Sequence, residues 1–209
     1  MPDTPVDRWP HFELVTFSEP TGIPFGWDKE LVSKGVPKDL FGVYNAAHEL
    51  TLLEIPDYGP LVCFTSTMLY DRLCQDPHTG AIVYVAYMPP NTANKVHPAF
   101  VVGLPGLVNS SLDQFIASVR AVSERFPFYS RESGEGEGEG DDLDDPAAER
   151  ARAEQHDSEV DRAAEDLTEI LRSIDRAAVA DETTFWRSFV FDVQMGDFAT
   201  EDVLGHLGQ

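Results

Sequence analysis

Residues 108–115 read Val108-Asn109-Ser110-Ser111-Leu112-Asp113-Gln114-Phe115, the clearest local signature in the chain. Ser111 followed three residues later by Gln114 fits a capping box, with Ser110 and Asp113 as the neighbouring register. Beyond it Leu112, Phe115, Ile116, Val119 and Val122 recur at helical spacing, so an amphipathic helix is expected over about 111–124. Asn109-Ser110-Ser111 also matches a glycosylation sequon. Without a secretory signal it reads better as a helix cap. The same triplet admits a small-ligand reading, because free N–H groups at a helix start favour anions. The ordinary reading is that its side chains satisfy those N–H groups themselves.

Working upstream, Pro98 to Leu104 (PAFVVGL) predicts a strand. Before it, Met68 to Cys74 and Ala81 to Tyr87 flank Asp76-Pro77-His78-Thr79-Gly80. Proline early and glycine late in a five-residue connection between β-rich segments predict a hairpin. Leu61-Val62-Cys63-Phe64 predicts a short apolar strand after the Asp57-Tyr58-Gly59-Pro60 turn. Trp27 to Ser33 is a short helix that stops at Gly35, with Pro37 just beyond. Phe12 to Phe17 alternates enough for a strand. The order is that of a mixed α/β chain.

Downstream, the composition changes sharply. The chain has 209 residues with Asp+Glu 37 against Lys+Arg 15, a formal net charge of −22. Residues 131–170 hold 16 acidic and 4 basic residues, a net of −12, which leaves −10 for the rest. Glu132 to Asp145 has eight carboxylates and no basic group, around the alternating GEGEGEG of residues 134–140. Glycine flexibility with self-repelling charge predicts a disordered loop. A phosphate cradle is excluded, since neither GxGxxG nor GxxxxGK is formed and carboxylates stand where phosphate would sit. From Ala147 to Ile174 the apolar Val160, Ala163, Ala164, Leu167, Ile170, Leu171 and Ile174 fall at helical spacing. The first half (AAERARAEQHDSE) has little apolar stripe and is expected to be solvated or frayed; the second half should dock. A last helix is expected over Thr183 to Gln194, with Phe185, Trp186, Phe189, Val190 and Val193 on one face.

Charge and composition exclude several classes. Nucleic-acid binding needs a basic footprint, and adsorption to an anionic membrane is equally disfavoured. At 42% hydrophobic and 11% aromatic residues the chain is too apolar to be disordered throughout. MPDTPVDRWPHFEL lacks the pattern of a signal peptide, and no apolar run approaches the roughly 18 residues of a membrane span. The expected location is the cytoplasm, and any macromolecular partner is expected to be basic.

No catalytic pattern is visible. The histidines (His11, His48, His78, His97, His156, His206) form no HExxH, and no two sit three or four apart on an expected helix. There is no GxSxG elbow, P-loop or deaminase-type HxE with PCxxC. Cys63 and Cys74 are not in metal-ligand spacing and read as buried thiols. Cys74, Asp76 and His78 could be imagined as a nucleophile cluster. The preferred reading is a hairpin with a buried thiol and an aspartate capping its turn. No catalytic, cofactor-binding or metal-ligating residue is assigned.

The helix running into Gly35-Val36-Pro37, the hairpin LCQDPHTGAIVY (73–84), VNSSLDQF (108–115) and the aromatic helix around Phe185-Trp186 occur in this order in SUKH-superfamily proteins. The chain most resembles the fourth SUKH group of immunity proteins, over most of residues 27–125 and 165–195. The resemblance implies an α/β (α+β) single domain over 1–209, a largely antiparallel sheet covered by helices. An acidic low-complexity insert at 131–158 departs from the family pattern, and a compact fold tolerates such loop expansion. It also implies a non-catalytic protein that binds and neutralises a cognate polymorphic toxin, often a nuclease or nucleic-acid deaminase. The positions carrying it are Gly35, Pro37, Asp76, Pro77, Gly80, Asn109, Ser110, Ser111, Leu112 and Trp186. They are expected to report the fold, with a role at an interface left open. The alternative is an intracellular scaffold or adaptor, like the yeast cell-wall regulator of the superfamily. A small enzyme whose site follows no motif is a third, weaker reading. Toxin identity, binding face and oligomeric state are not written in the sequence.

Overall fold

A computed structural model describes residues 11–18, 22–66, 71–86, 105–130, 146–201 and 203. Elements follow in the order β1 (Leu14–Val15), α1 (Lys29–Lys34), β2 (Val36–Pro37), β3 (Asn45–Ile55), β4 (Gly59–Ser66), β5 (Asp71–Gln75), β6 (Ile82–Ala86) and β7 (Gly106–Asn109). Then come α2 (Leu112–Arg125), α3 (Pro146–Ile174), a 3₁₀ turn (Arg176–Val179) and α4 (Phe185–Gln194). Strands β3 to β7 form an antiparallel meander in sequence order, and β1 pairs with β2 in a separate two-stranded sheet. The expected mixed α/β architecture with an antiparallel sheet is the one observed.

Strand alternation sorts the meander's side chains between two faces. Val62, Phe64, Leu73 and Ile82 join the main core with Leu112, Phe115, Val119 and Val122 of α2, Leu167 and Leu171 of α3, and Trp186, Phe189 and Val193 of α4. Leu61, Cys63, Cys74, Val83 and Val85 form a second cluster with Ile55 of β3. Four residues of the predicted α2 stripe, Leu112, Phe115, Val119 and Val122, are buried; Ile116 is only partly buried, and the polar Ser118 is buried beside them. An aromatic group seals the end of the main core: Phe41 packs 5.5 Å from Phe126, and Phe189 packs 4.7 Å from Phe198. Such ring pairs add to the burial of their area.

Several elements differ from the sequence reading. Strand β3 is absent from it, although at 11 residues it is the longest strand described. It is an edge strand whose register shifts between Ala46 and Thr51, so Leu50 and Ile55 are its buried side chains and no two-residue period develops. Strand β7 (Gly106–Asn109) is likewise absent from that reading; it runs directly into the cap of α2. The expected strand at 98–104, the stretch 68–70, Tyr87, and the acidic residues 131–145 lie outside the described residues. The described part of the 131–158 segment, residues 146–158, is helical: α3 opens at Pro146, with proline at its favoured first position. Ala151, Ala153, Glu154 and Gln155 are exposed there, while Arg152 and His156 are half-buried and His156 packs against Tyr129, so this half is solvated only in part.

Candidate functional site

The motif positions gather around two polar hubs. Asn109 ends β7 fully buried; its carbonyl oxygen accepts the Trp186 indole N–H at 2.9 Å. Its amide nitrogen donates to Ser118 Oγ at 3.2 Å and to Asp175 Oδ2 at 3.3 Å. Asp175 also accepts the Ser110 backbone N–H at 2.6 Å, the Ser110 hydroxyl at 3.1 Å and the Ala177 N–H at 3.1 Å. Ser111 Oγ accepts the Gln114 N–H at 3.3 Å, as a cap should. The reciprocal arm of the capping box is replaced: Gln114 accepts the Ser111 hydroxyl and donates to the Ile174 carbonyl, tying α2 to the end of α3. Leu112 begins the buried stripe. The polar groups of the triplet are thus occupied by the protein itself, which supports the cap reading over a ligand site.

The second hub is the hairpin between β5 and β6. Asp76 Oδ1 accepts the His78 N–H at 2.8 Å and Oδ2 accepts the Thr79 hydroxyl at 2.9 Å and the Tyr58 hydroxyl at 3.2 Å. Burial pushes the Asp76 carboxyl up, but these bonds outweigh it and hold the group below its ordinary value. Gly80 has φ 76°, the left-handed conformation that closes the turn after Pro77. His78 packs edge-on to Trp27 with ring centres 5.5 Å apart, while Cys74 lies opposite Cys63. The three side chains therefore serve separate roles: Asp76 holds the turn, His78 packs on Trp27 and Cys74 faces Cys63 across the strands.

Helix α1 bridges the hubs. Lys34 Nζ reaches Glu30 and Asp113, each at 2.8 Å, and Gln75 Nε2 donates to Glu30 Oε2 at 2.9 Å. The Asp113 and Glu30 carboxylates hold the Lys34 ammonium above its ordinary value. Gly35, just after α1, has φ 74°, and a Cβ there would stand 2.5 Å from the Val15 carbonyl oxygen. Pro37 pairs with Leu14, and its carbonyl accepts the Tyr44 hydroxyl at 3.3 Å. Trp186 meets Asn109 from α4. The sequence reading missed Asp175, Ser118 and the bridging Lys34–Glu30 pair; a polar residue just after a helix carries no sign of its distant partner.

A different surface lies on the outer side of α3 and α4. Phe191 and Met195, one helical turn apart, are 58% and 64% exposed. Phe191 lines an open groove of about 270 Å³ on α4 with Glu182, Arg187 and Asp192. A second groove, of about 460 Å³, lies between the two helices, with Asp161, Glu165, Glu169 and Arg172 on the α3 side and Arg187 and Gln194 on the α4 side. Gln194 Nε2 donates to Asp161 Oδ1 at 2.8 Å across it. Burial and the neighbouring Asp197 hold Asp192 above its ordinary value. Among the described residues no three or more His, Cys, Asp or Glu side chains gather as metal ligands do, and no helix is long and apolar enough to cross a membrane.

Among the described residues an antiparallel meander packs against helices, with motif residues bonded to one another, an α+β architecture. The chain belongs to the SUKH-4 immunity protein family, whose family model matches residues 21–192. That span covers α1, the meander, α2, α3 and nearly all of α4. No curated protein and no solved structure matches the chain.

Proposed function

We propose that this protein binds a cognate polymorphic toxin and neutralises it by occlusion, without catalysis. The observation that carries the reading is membership of an immunity protein family over residues 21–192. Two structural features support it. The motif polar groups are engaged internally, so recognition falls to the molecular surface. On α4 the exposed Phe191 shares a groove with Glu182, Arg187 and Asp192, and Met195 is exposed one turn further on, so an aromatic anchor stands beside charged groups. For the toxin's class we take what the family resemblance implies, a nuclease or nucleic-acid deaminase; the acidic charge supports it, since an enzyme that holds phosphates carries a basic surface that an acidic protein competes for. The site of neutralisation is the cytoplasm.

Co-expression with the toxin encoded by the adjacent gene tests the reading. Growth rescue is expected, with toxin activity in vitro extinguished near one-to-one stoichiometry. Failure to rescue from any neighbouring toxin overturns it. Protection at far below stoichiometric amounts overturns the non-catalytic part, since occlusion consumes one protein per toxin.

A further inference from the structure

Cys63 of β4 and Cys74 of β5 stand directly opposite each other in the strand register. Both are free thiols and both are buried. They face the same side of the sheet, in a cluster whose described members are strand residues. Opposed residues of an antiparallel pair have Cα atoms roughly 4.5–5.5 Å apart, within the span a disulfide bridges. Their side chains leave the sheet in the same direction, so the sulfurs meet without a change of register. Cys63 Sγ also donates to the Thr65 carbonyl at 3.6 Å. The facing Cys74 thiol favours the Cys63 thiolate and holds Cys63 below its ordinary value against the opposing effect of burial. The same pairing, with burial, holds Cys74 above its ordinary value. The positive charge of Arg72 favours the thiolate form of each.

We propose that Cys63 and Cys74 are an oxidation site, closed by hydrogen peroxide into an intrachain cross-strand disulfide. The Cys63 thiolate attacks one peroxide oxygen and the O–O bond breaks. The departing hydroxide takes up the proton that Cys63 lost and leaves as water, with Cys63 now a sulfenic acid. The Cys74 sulfur attacks the sulfenic sulfur, the S–O bond breaks, and a second water leaves with the Cys74 proton. Two thiols give up two electrons and one peroxide receives them. Local opening of the strands admits the oxidant, and the resolving thiol is already in place when the sulfenic acid forms. The product ties β4 to β5 and restricts the unfolded chain. In a reducing compartment the pair persists as a dithiol.

The full chain treated with excess hydrogen peroxide, then alkylated under denaturing conditions, provides the test. The expected product has lost two hydrogens in intact mass, and its digest joins the Cys63 peptide to the Cys74 peptide within one chain. Dithiothreitol restores both thiols. C63S and C74S are each expected to lack the bridged peptide. If either fails to fold, mapping of the unsubstituted chain alone decides. Thiols that both alkylate after oxidation overturn the proposal, as do accumulation of sulfinic acid and a bridge formed between chains.

Discussion

Asn109 shows how much one buried side chain can organise. Its amide joins β7, α2, the end of α3 and α4 through Trp186, Ser118 and Asp175. Asn109→Ala leaves the Trp186 N–H buried without an acceptor, and a stranded donor costs more than the average bond contributes. The substitution is expected to destabilise the protein by about 2–3 kcal/mol, read as a lowered urea midpoint at unchanged slope. Asp76 offers a pH signature. Its folded carboxyl lies below its ordinary value, so its stabilisation is present above the unfolded value near 3.9 and is lost as pH falls through the folded one. Asp76→Asn is therefore expected to cost about 1–2 kcal/mol at pH 7. The difference from the native chain should shrink steadily below about pH 4 in denaturant titrations. A gap unchanged down to pH 2 would contradict this account of the hairpin.

Among the elements, α3 separates what helix propensity supplies from what docking supplies. Its first half is mostly exposed, with His156 packed edge-on to Tyr129 at 5.9 Å, and is supported by good helix formers and by contacts such as Gln155 to Glu159 at 2.9 Å. Its second half buries Val160, Ala164, Leu167 and Leu171. Leu171→Ala is expected to cost about 3 kcal/mol, the usual result of emptying a leucine site in a core. Glu154→Ala should change stability by less than about 0.5 kcal/mol. Thermal unfolding of the two variants side by side checks both. Helices were the legible elements because a 3.6-residue stripe survives in one dimension. The edge strand β3 was not legible: its bulge and its polar side chains erase the alternation that marks a strand.

For the whole molecule, charge is the property that acts at a distance. The net charge of −22 is concentrated in residues 131–170, and the remainder still carries −10. An acidic protein meeting a basic toxin gains chiefly in encounter rate, and salt screens that gain. The association rate constant with the cognate toxin is expected to fall on the order of tenfold between low and high salt. The dissociation rate should move far less. Stopped-flow mixing over a salt series measures both, and an association rate indifferent to salt would remove electrostatic steering from the mechanism.

The sequence by itself determined the helices, the DPHTG hairpin, the cap at Ser111 and the acidic character, because each depends on residues close together in the chain. Their order was enough to resemble the family that the chain belongs to. Tertiary structure alone decided where the caps' spare hydrogen bonds go: Gln114 to Ile174, Ser110 to Asp175, Asn109 to Trp186. It also decided that Cys63 faces Cys74 and that Phe191 and Met195 face outward. These pairings join residues up to 77 positions apart. Polar and thiol side chains have no periodic signal, so only the register of strands and the docking of helices selects their partners.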